Sequence, residues 1–283
     1  MLTISSPSLS YSSATTIVEV FRNKNNLNPL TCWCVGQNML FKSYDAKDFM
    51  RLRCTTPRTT ALSDGFETLS MPEHLAAVLL LWPQHNITVN VDEHGELPLL
   101  DGSARPWFDA LVKEARHPAN LCFYDAPVKF DFEFEGGYCK VEPSDTFEVE
   151  YSMERGVYKD DVCWSIYEAA DLFPLFDART FIFEEDYEAA RKAGLLNGAS
   201  ENCGLLLRKL GGAQVEVLNG HVLRHAQEPI LHKVLDLVGD LTLLAPALPN
   251  VKIRIHNGGH AAHRKILERL VQYVPSRYTP EVF

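Results

Sequence analysis

Nowhere in these 283 residues do apolar side chains run on for the roughly 18 positions that a membrane-spanning helix requires. Stable insertion into a membrane is therefore not expected. The opening stretch Met1 to Ser10 lacks the basic region and long apolar segment of a secretory leader. That composition predicts a soluble, cytoplasmic protein. Clustered positive charge is missing too: 37 acidic residues face 27 basic ones, the formal net charge is -10, and no long Lys/Arg run stands out. Nucleic acid is set aside as a main partner on that ground, and any phosphate-bearing ligand needs a local basic pocket. The seven cysteines are scattered and odd in number, which argues against a disulfide framework and for a reducing compartment. Cys32, Cys34 and Cys54 offer thiolates, but no second closely spaced Cys or His pair completes a structural zinc site.

What is present suits two ordinary domains, since 46% hydrophobic content supports real cores. Thr15 to Phe21 alternates as a strand, Asn23 to Pro29 is turn-rich, and Cys54 to Gly65 reads as a loop. Met71-Pro72-Glu73-His74-Leu75 then opens a helix that ends at Pro83, with Ser70 as its N-cap. A strand over Asn86 to Asp92 follows, then a tight turn over Leu97 to Pro106 and a helix over Trp107 to Arg116. His117, Pro118 and Asn120 mark a break, which divides the chain into domains at 1–120 and 121–283. The second half begins with strands over Val128 to Glu135, Tyr138 to Val141 and Phe147 to Met153, whose alternation predicts an antiparallel sheet with one solvated face. A polar helix at Glu184 to Lys192 and short strands at Leu205 to Leu207 and Gln214 to Leu218 come next. A helix at Pro229 to Leu241, a strand at Val251 to Ile255 and a helix from Gly259 to about Tyr273 complete the order. Each half thus offers strands, then helix, strand and helix. The expected fold class is α+β, two similar domains packed against each other with the active groups where they meet.

The helix at Pro229 to Leu241 is apolar on more than one stripe, yet carries His232, Asp236 and Asp240 at intervals of four. An imidazole and a carboxylate one turn apart converge on one point, which is ligand chemistry for a divalent metal. They also form an ordinary helical side-chain pair. His221 and His225 are four apart as well, but in a polar segment that reads as surface. His74 can complete a two-His, one-carboxylate set with an open position for water, with Glu73 beside it to take a proton. The competing reading is a capping acid and a surface histidine. His260 follows Asn257-Gly258-Gly259, where two glycines allow a tight turn. It can deliver a proton if Asp240 holds it charged, or it can be a solvent-exposed residue, as is expected of His263.

The stretches S-M-P-E-H-L at 70–75, L-L-D-G-S-A at 99–104, A-R-T-F-I-F at 178–183, H-K-V-L-D-L-V-G-D at 232–240 and G-G-H-A at 258–261 resemble the UDP-3-O-acyl-N-acetylglucosamine deacetylases, zinc amidases of lipid A biosynthesis. The resemblance covers about residues 70 to 275. It implies two domains, each a β-sheet with two helices, the helices packed between the two sheets. It implies His74, His232 and Asp236 as ligands of zinc, with iron(II) compatible with the same set, and Glu73 as general base. Thr180 would donate to the oxyanion, His260 would protonate the leaving amine, and Asp240 would orient His260. Lys233 matches a substrate-contacting lysine. An insertion at about Phe181 to Val217 would form an apolar passage for the 3-O-acyl chain, lined by Phe181, Phe183, Leu195 and Leu196. The implied partner is a UDP-linked acylated amino sugar, and a monomer is expected.

Departures from the family pattern accompany these matches. The family's early G-x-G-L-H-x-G loop belongs near Pro7 to Ser13, where this chain reads P-S-L-S-Y-S-S; Ile182 replaces the glycine after Thr-Phe, and Gly198-Ala199-Ser200 replaces Gly-Gly-Ser. Bulkier residues would narrow or reshape the passage. Two further readings follow, a related zinc deacetylase with another acetamido sugar and a non-catalytic protein that keeps zinc structurally.

Overall fold

A computed structural model describes residues 2–7, 9–10, 15–22, 31–36, 38–43, 49–50, 52–54, 59–82, 87–115, 120–193, 196 and 200–275. Two large sheets dominate it. The first has the order β1-β2-β8-β3-β4, formed by β1 (Leu2–Pro7), β2 (Thr15–Arg22), β3 (Thr31–Val35), β4 (Asn38–Lys42) and β8 (Ile87–Val91). Strand β8 runs antiparallel to β2 and parallel to β3. Between them in sequence, β5 (Arg53–Cys54), β6 (Ala61–Ser63) and β7 (Thr68–Ser70) make a small antiparallel sheet. The segment expected as a loop at Cys54 to Gly65 therefore carries strand β6 and the end of β5. Its Thr, Ser and Gly content masked that pairing.

The second large sheet centres on β17 (Leu248–His256), which pairs antiparallel with β11 (Gly137–Pro143) and parallel with β12 (Phe147–Arg155). Outside these lie β10 (Phe130–Phe134) and β13 (Tyr158–Ile166), while β9 (Phe123–Asp125) joins the start of β17. Strands β3, β8 and β17 alternate buried and part-exposed residues, as a sheet with one face on a core requires. Strand β13 had no counterpart in the sequence reading. Its Lys159, Asp160 and Asp161 broke the apolar pattern, although Tyr158, Val162 and Ile166 are buried.

Between the sheets lie the helices. Helix α1 (Glu73–Leu79) is buried at all seven positions and packs on α2 (Arg105–Ala115) and on α5 (Glu228–Leu244). Helix α5 in turn packs on α6 (His260–Leu270) and on β12, β13 and β17, and α2 rests on β1. A helical layer with a sheet on either side is the α+β arrangement expected. Two shorter helices, α3 (Phe173–Asp177) and α4 (Glu184–Lys192), flank β14 (Phe181–Phe183). Strand β14 joins β15 (Leu205–Gly211) and β16 (Gln214–Val217) in a three-stranded sheet.

Ser70 does not cap α1. It ends β7 with its N–H donated to the Gly95 carbonyl, and Pro72 occupies the cap position without a side-chain hydrogen bond. The Asn23–Pro29 turn, Asn86 and Arg116 lie outside the described residues. Among the described residues no helix is long and apolar enough to cross a membrane.

Helix α5 begins with Pro229 in its first turn, where the missing N–H costs nothing. Its crossing with α1 depends on Gly239, because a Cβ there would sit 2.1 Å from the carbonyl oxygen of Glu73. Gly239→Ala should push the two helices apart and lower stability by about 1–3 kcal/mol, as overpacking of a tight core does. Denaturant unfolding of the variant beside the parent protein measures this, and an unchanged midpoint would show that the helices can separate freely.

Candidate active site

Because α5 is buried along its length, its His232, Asp236 and Asp240 must find partners within the protein. Helix α1 supplies one of them, His74 beside Asp236, at its first turn. Met71 enters with φ of 58° and donates its N–H to the Thr60 carbonyl, and this bend starts α1 with Glu73 and His74 facing α5. Both are buried rather than surface residues.

His232 Nε2 lies 3.2 Å and His74 Nε2 3.6 Å from the same oxygen of Asp236, Oδ1. The two imidazoles meet edge to face with centroids 5.0 Å apart. His232 donates Nδ1–H to the Ala178 carbonyl at 3.0 Å, which leaves Nε2 with its lone pair free for a cation. Lys233 donates to the other oxygen, Oδ2, at 2.9 Å. One ligand atom from each of His74, His232 and Asp236 thus lies within 4.8 Å of the others. Two neutral imidazole nitrogens and one carboxylate are a donor set that zinc accepts with a coordination position to spare. Burial pushes the His232 imidazole down to about 3, with Asp236 pulling the other way, so it stays neutral. For Asp236 burial opposes ionisation, but the neighbouring His232, the Lys233 cation and His74 hold its carboxyl well below the usual range.

Next to these ligands stand groups able to move protons. His260, the first residue of α6, places Nε2 3.9 Å from Glu73 Oε1 and 3.8 Å from Asp236 Oδ2. Its Nδ1 donates to Asp240 Oδ2 at 3.0 Å. Burial lowers its basicity, but the Asp240 carboxylate outweighs that and raises it to about 9. Burial likewise lifts the Glu73 carboxyl to about 7, with His260 opposing. Glu73 Oε2 is buried without a hydrogen-bond partner. A buried, unpartnered carboxylate oxygen facing a ligand cluster is suited to accept a proton from a molecule bound there.

Two expectations about this end of α6 require correction. His263 is not on the surface; it is 0% exposed and donates Nδ1–H to Asp240 Oδ2 at 2.7 Å. The left-handed residue of the turn is Asn257, with φ of 51°, and neither glycine. Gly258 is needed for packing, since its Cβ would lie 2.1 Å from Ile255 Cδ1, and Gly259 is extended with open space beside it. Sequence reasoning also missed Thr60. Its Oγ1 donates to Asp240 Oδ1 and lies 2.8 Å from His260 Nδ1. A lone threonine far from every histidine in sequence gave no signal.

Thr180 is pinned by its backbone, with its N–H donated to the Gly102 carbonyl at 2.7 Å and its carbonyl accepting from Leu205 at 2.8 Å. Its methyl group occupies the space that side chains at Gly102 and Gly204 would fill. Arg179 and Glu228 hold this segment against α5. Glu228, 0% exposed, accepts from Arg179 N, Nε and Nη2 and from Arg224 N. Arg224 then reaches Asp101, Ser103 and the Asp177 carbonyl. The 101–104 and 178–180 motifs are therefore tied to the helix that carries His232. Phe181 borders the cluster, its ring centroid 6.4 Å from that of His232 and 5.7 Å from Lys233 Nζ. Phe183 instead lies in the core against Tyr158, with Lys209 over its ring. Leu196 is half-buried. Leu195, Gly198, Ala199 and most of Pro7 to Ser13 lie outside the described residues, as does the Cys54 side chain. His221 and His225 are half-buried, and neither they nor Cys32 and Cys34 join a group of metal-ligand side chains among the described residues.

Residues 36–272 match the family model described as UDP-3-O-acyl N-acetylglycosamine deacetylase. Curated relatives carry the name UDP-3-O-acyl-N-acetylglucosamine deacetylase. The protein of Aquifex aeolicus (strain VF5) is 32% identical over 218 residues, 77% of this chain and 74% of the relative. That of Synechocystis sp. is 28% identical over 222 residues, covering 75% and 76%, and that of Cellvibrio japonicus 30% identical over 231 residues, covering 77% and 72%.

The buried Arg179–Glu228 pair yields a test of the clamp. Arg179→Met removes the cation and leaves Glu228 charged in the interior, so stability should fall by about 3–5 kcal/mol. Arg179→Met with Glu228→Gln should recover much of that loss. Thermal unfolding of the two variants beside the parent measures both effects.

Proposed function

The chain belongs to the UDP-3-O-acyl N-acetylglycosamine deacetylase family, and we propose that it hydrolyses the 2-acetamido group of a UDP-3-O-acyl-N-acetylglucosamine in lipid A biosynthesis. The observation that carries this reading is the convergence of His74, His232, Asp236, Glu73 and His260 from three helices on one buried point. His74, His232 and Asp236 would hold zinc, or iron(II) on the same donors. A bound cation would supply Lewis acidity at the acetyl carbonyl.

The chain's own groups carry the rest of the reaction. Glu73 accepts a proton from the attacking water, whose oxygen forms a bond to the acetyl carbonyl carbon. The Thr180 hydroxyl donates to the oxygen of that carbonyl as it gains charge. His260, kept protonated by Asp240, delivers a proton to the sugar nitrogen as the C–N bond breaks, and acetate and a free amine leave. Lys233 contacts the substrate through its cation, in a chain otherwise short of positive charge. Phe181 opens an apolar path for the acyl chain into the insertion at 181–217, with Phe183 packed behind it. The residues fall into domains at 1–120 and 121–283 that meet at this site. The protein acts as a cytoplasmic monomer.

Ile182, where the family pattern has glycine, favours one second reading, a different acetamido sugar. Comparing turnover of acylated and unacylated UDP-N-acetylglucosamine separates the two. A purely structural metal site has no use for a buried, unpartnered Glu73 oxygen, which weighs against a non-catalytic role.

Purified, zinc-loaded protein should release acetate from UDP-3-O-(3-hydroxyacyl)-N-acetylglucosamine. Glu73→Ala should keep its zinc and lose about 10²- to 10⁴-fold in kcat. A Glu73→Ala protein as active as the parent would sink the assignment of Glu73. In a separate measurement, His232→Ala should lose bound zinc by metal analysis, and chelation of the parent should abolish turnover until zinc is restored.

A further inference from the structure

We propose that His263 and Thr60 are positioning residues that fix the Asp240 carboxylate through both of its oxygens and thereby set the plane of the His260 ring. The inference rests on the deacetylase reading above. Asp240 Oδ2 accepts from two imidazoles, His260 Nδ1 at 3.0 Å and His263 Nδ1 at 2.7 Å. Oδ1 accepts from the Thr60 hydroxyl, and the Thr60 oxygen also lies 2.8 Å from His260 Nδ1. All four side chains are buried, and they come from three separate parts of the chain.

Physical reasons favour a positioning role. The terminal torsion of an aspartate is broad, so a carboxylate held by one partner swings readily about it. With donors on both oxygens that swing is stopped. Any rotation of the carboxylate would tilt the His260 ring, whose Nε2 stands 3.9 Å from Glu73 Oε1. An ionised carboxylate oxygen only accepts, so both imidazoles present Nδ1–H to it. His263 Nε2 is buried and unpartnered, and the ring edge packs against Tyr151; this imidazole therefore serves as a neutral donor in an apolar wall. Asp240, His260 and His263 also group as ligand types for a second cation. However, both Nδ1 atoms sit at hydrogen-bond distance from one oxygen, and N–H groups aimed at that oxygen leave no lone pair for a shared metal.

Acetate release is measured for the zinc-loaded parent and for His263→Leu, His263→Asn, Thr60→Val and Thr60→Ser. His263→Leu should lower kcat about tenfold or more with KM and zinc content unchanged, because part of the proton-transfer contribution is lost. His263→Asn, which restores an N–H near the Nδ1 position, should recover most of the rate. Thr60→Val and Thr60→Ser should show the same contrast, and they decide the matter if His263→Leu does not fold. Proton NMR gives an independent reading: two downfield imidazole N–H signals from the groups held by Asp240 in the parent, and in His263→Leu one of them lost and the other shifted. Parental kcat in both His263→Leu and Thr60→Val, or a His263→Asn protein as slow as His263→Leu, overturns the proposal. If the parent releases no acetate the deacetylase reading fails instead, and the NMR pattern still decides whether the two residues hold Asp240.

Discussion

Three buried carboxylates, Glu228, Asp236 and Asp240, stand on the long helix α5, and charge in an interior survives only where it is paired and hydrogen-bonded. Much of the layer around α5 can be read as the answer to that constraint. Asp236 is met by His232, His74 and Lys233; Asp240 is met by His260, His263 and Thr60. The same contacts that make the charges tolerable bring the imidazoles of His74, His232 and His260 around the Asp236 carboxylate. Stability and chemistry are here two uses of one set of contacts.

Close approach of backbones makes this possible. Gly239 lets the start of α1 settle against α5, while Gly102 and Gly204 let two loops close around Thr180. The Arg179–Glu228 pair then fixes the 178–180 segment, whose Ala178 carbonyl sets the tautomer of His232. Glu228 and Arg179 touch no ligand atom, yet the motif A-R-T-F owes its arginine to them. A loss of that pair would be felt at His232 through one carbonyl.

Much of this was legible in the sequence, for definable reasons. Helices α1 and α5 were readable because polar residues interrupt or flank strong apolar runs, and the polar helix α4 matched its expected limits, Glu184–Lys192. The grouping of His74 with His232 and Asp236 was open on donor chemistry alone and was favoured only through the resemblance, since no local pattern links residues so far apart. Thr60 and His263 stayed invisible because their meaning lies in one tertiary contact, with Asp240. Strand β13 was hidden by its charges, Asp160 among them on the buried face, and β6 by residues common in loops.

Strand β17 has a consequence for how the chain reaches this state. It is the centre of the second sheet, yet it is the last of that sheet's strands to be made, pairing Lys252 with Glu148 in parallel. During synthesis β11 and β12 wait with open edges on the sides that β17 will later fill. Parallel pairing across so long a separation is entropically slow, and unpaired edges invite association with other chains. The hazard period of this protein therefore closes only when β17 docks, and the same event brings the residues leading to His260 into place.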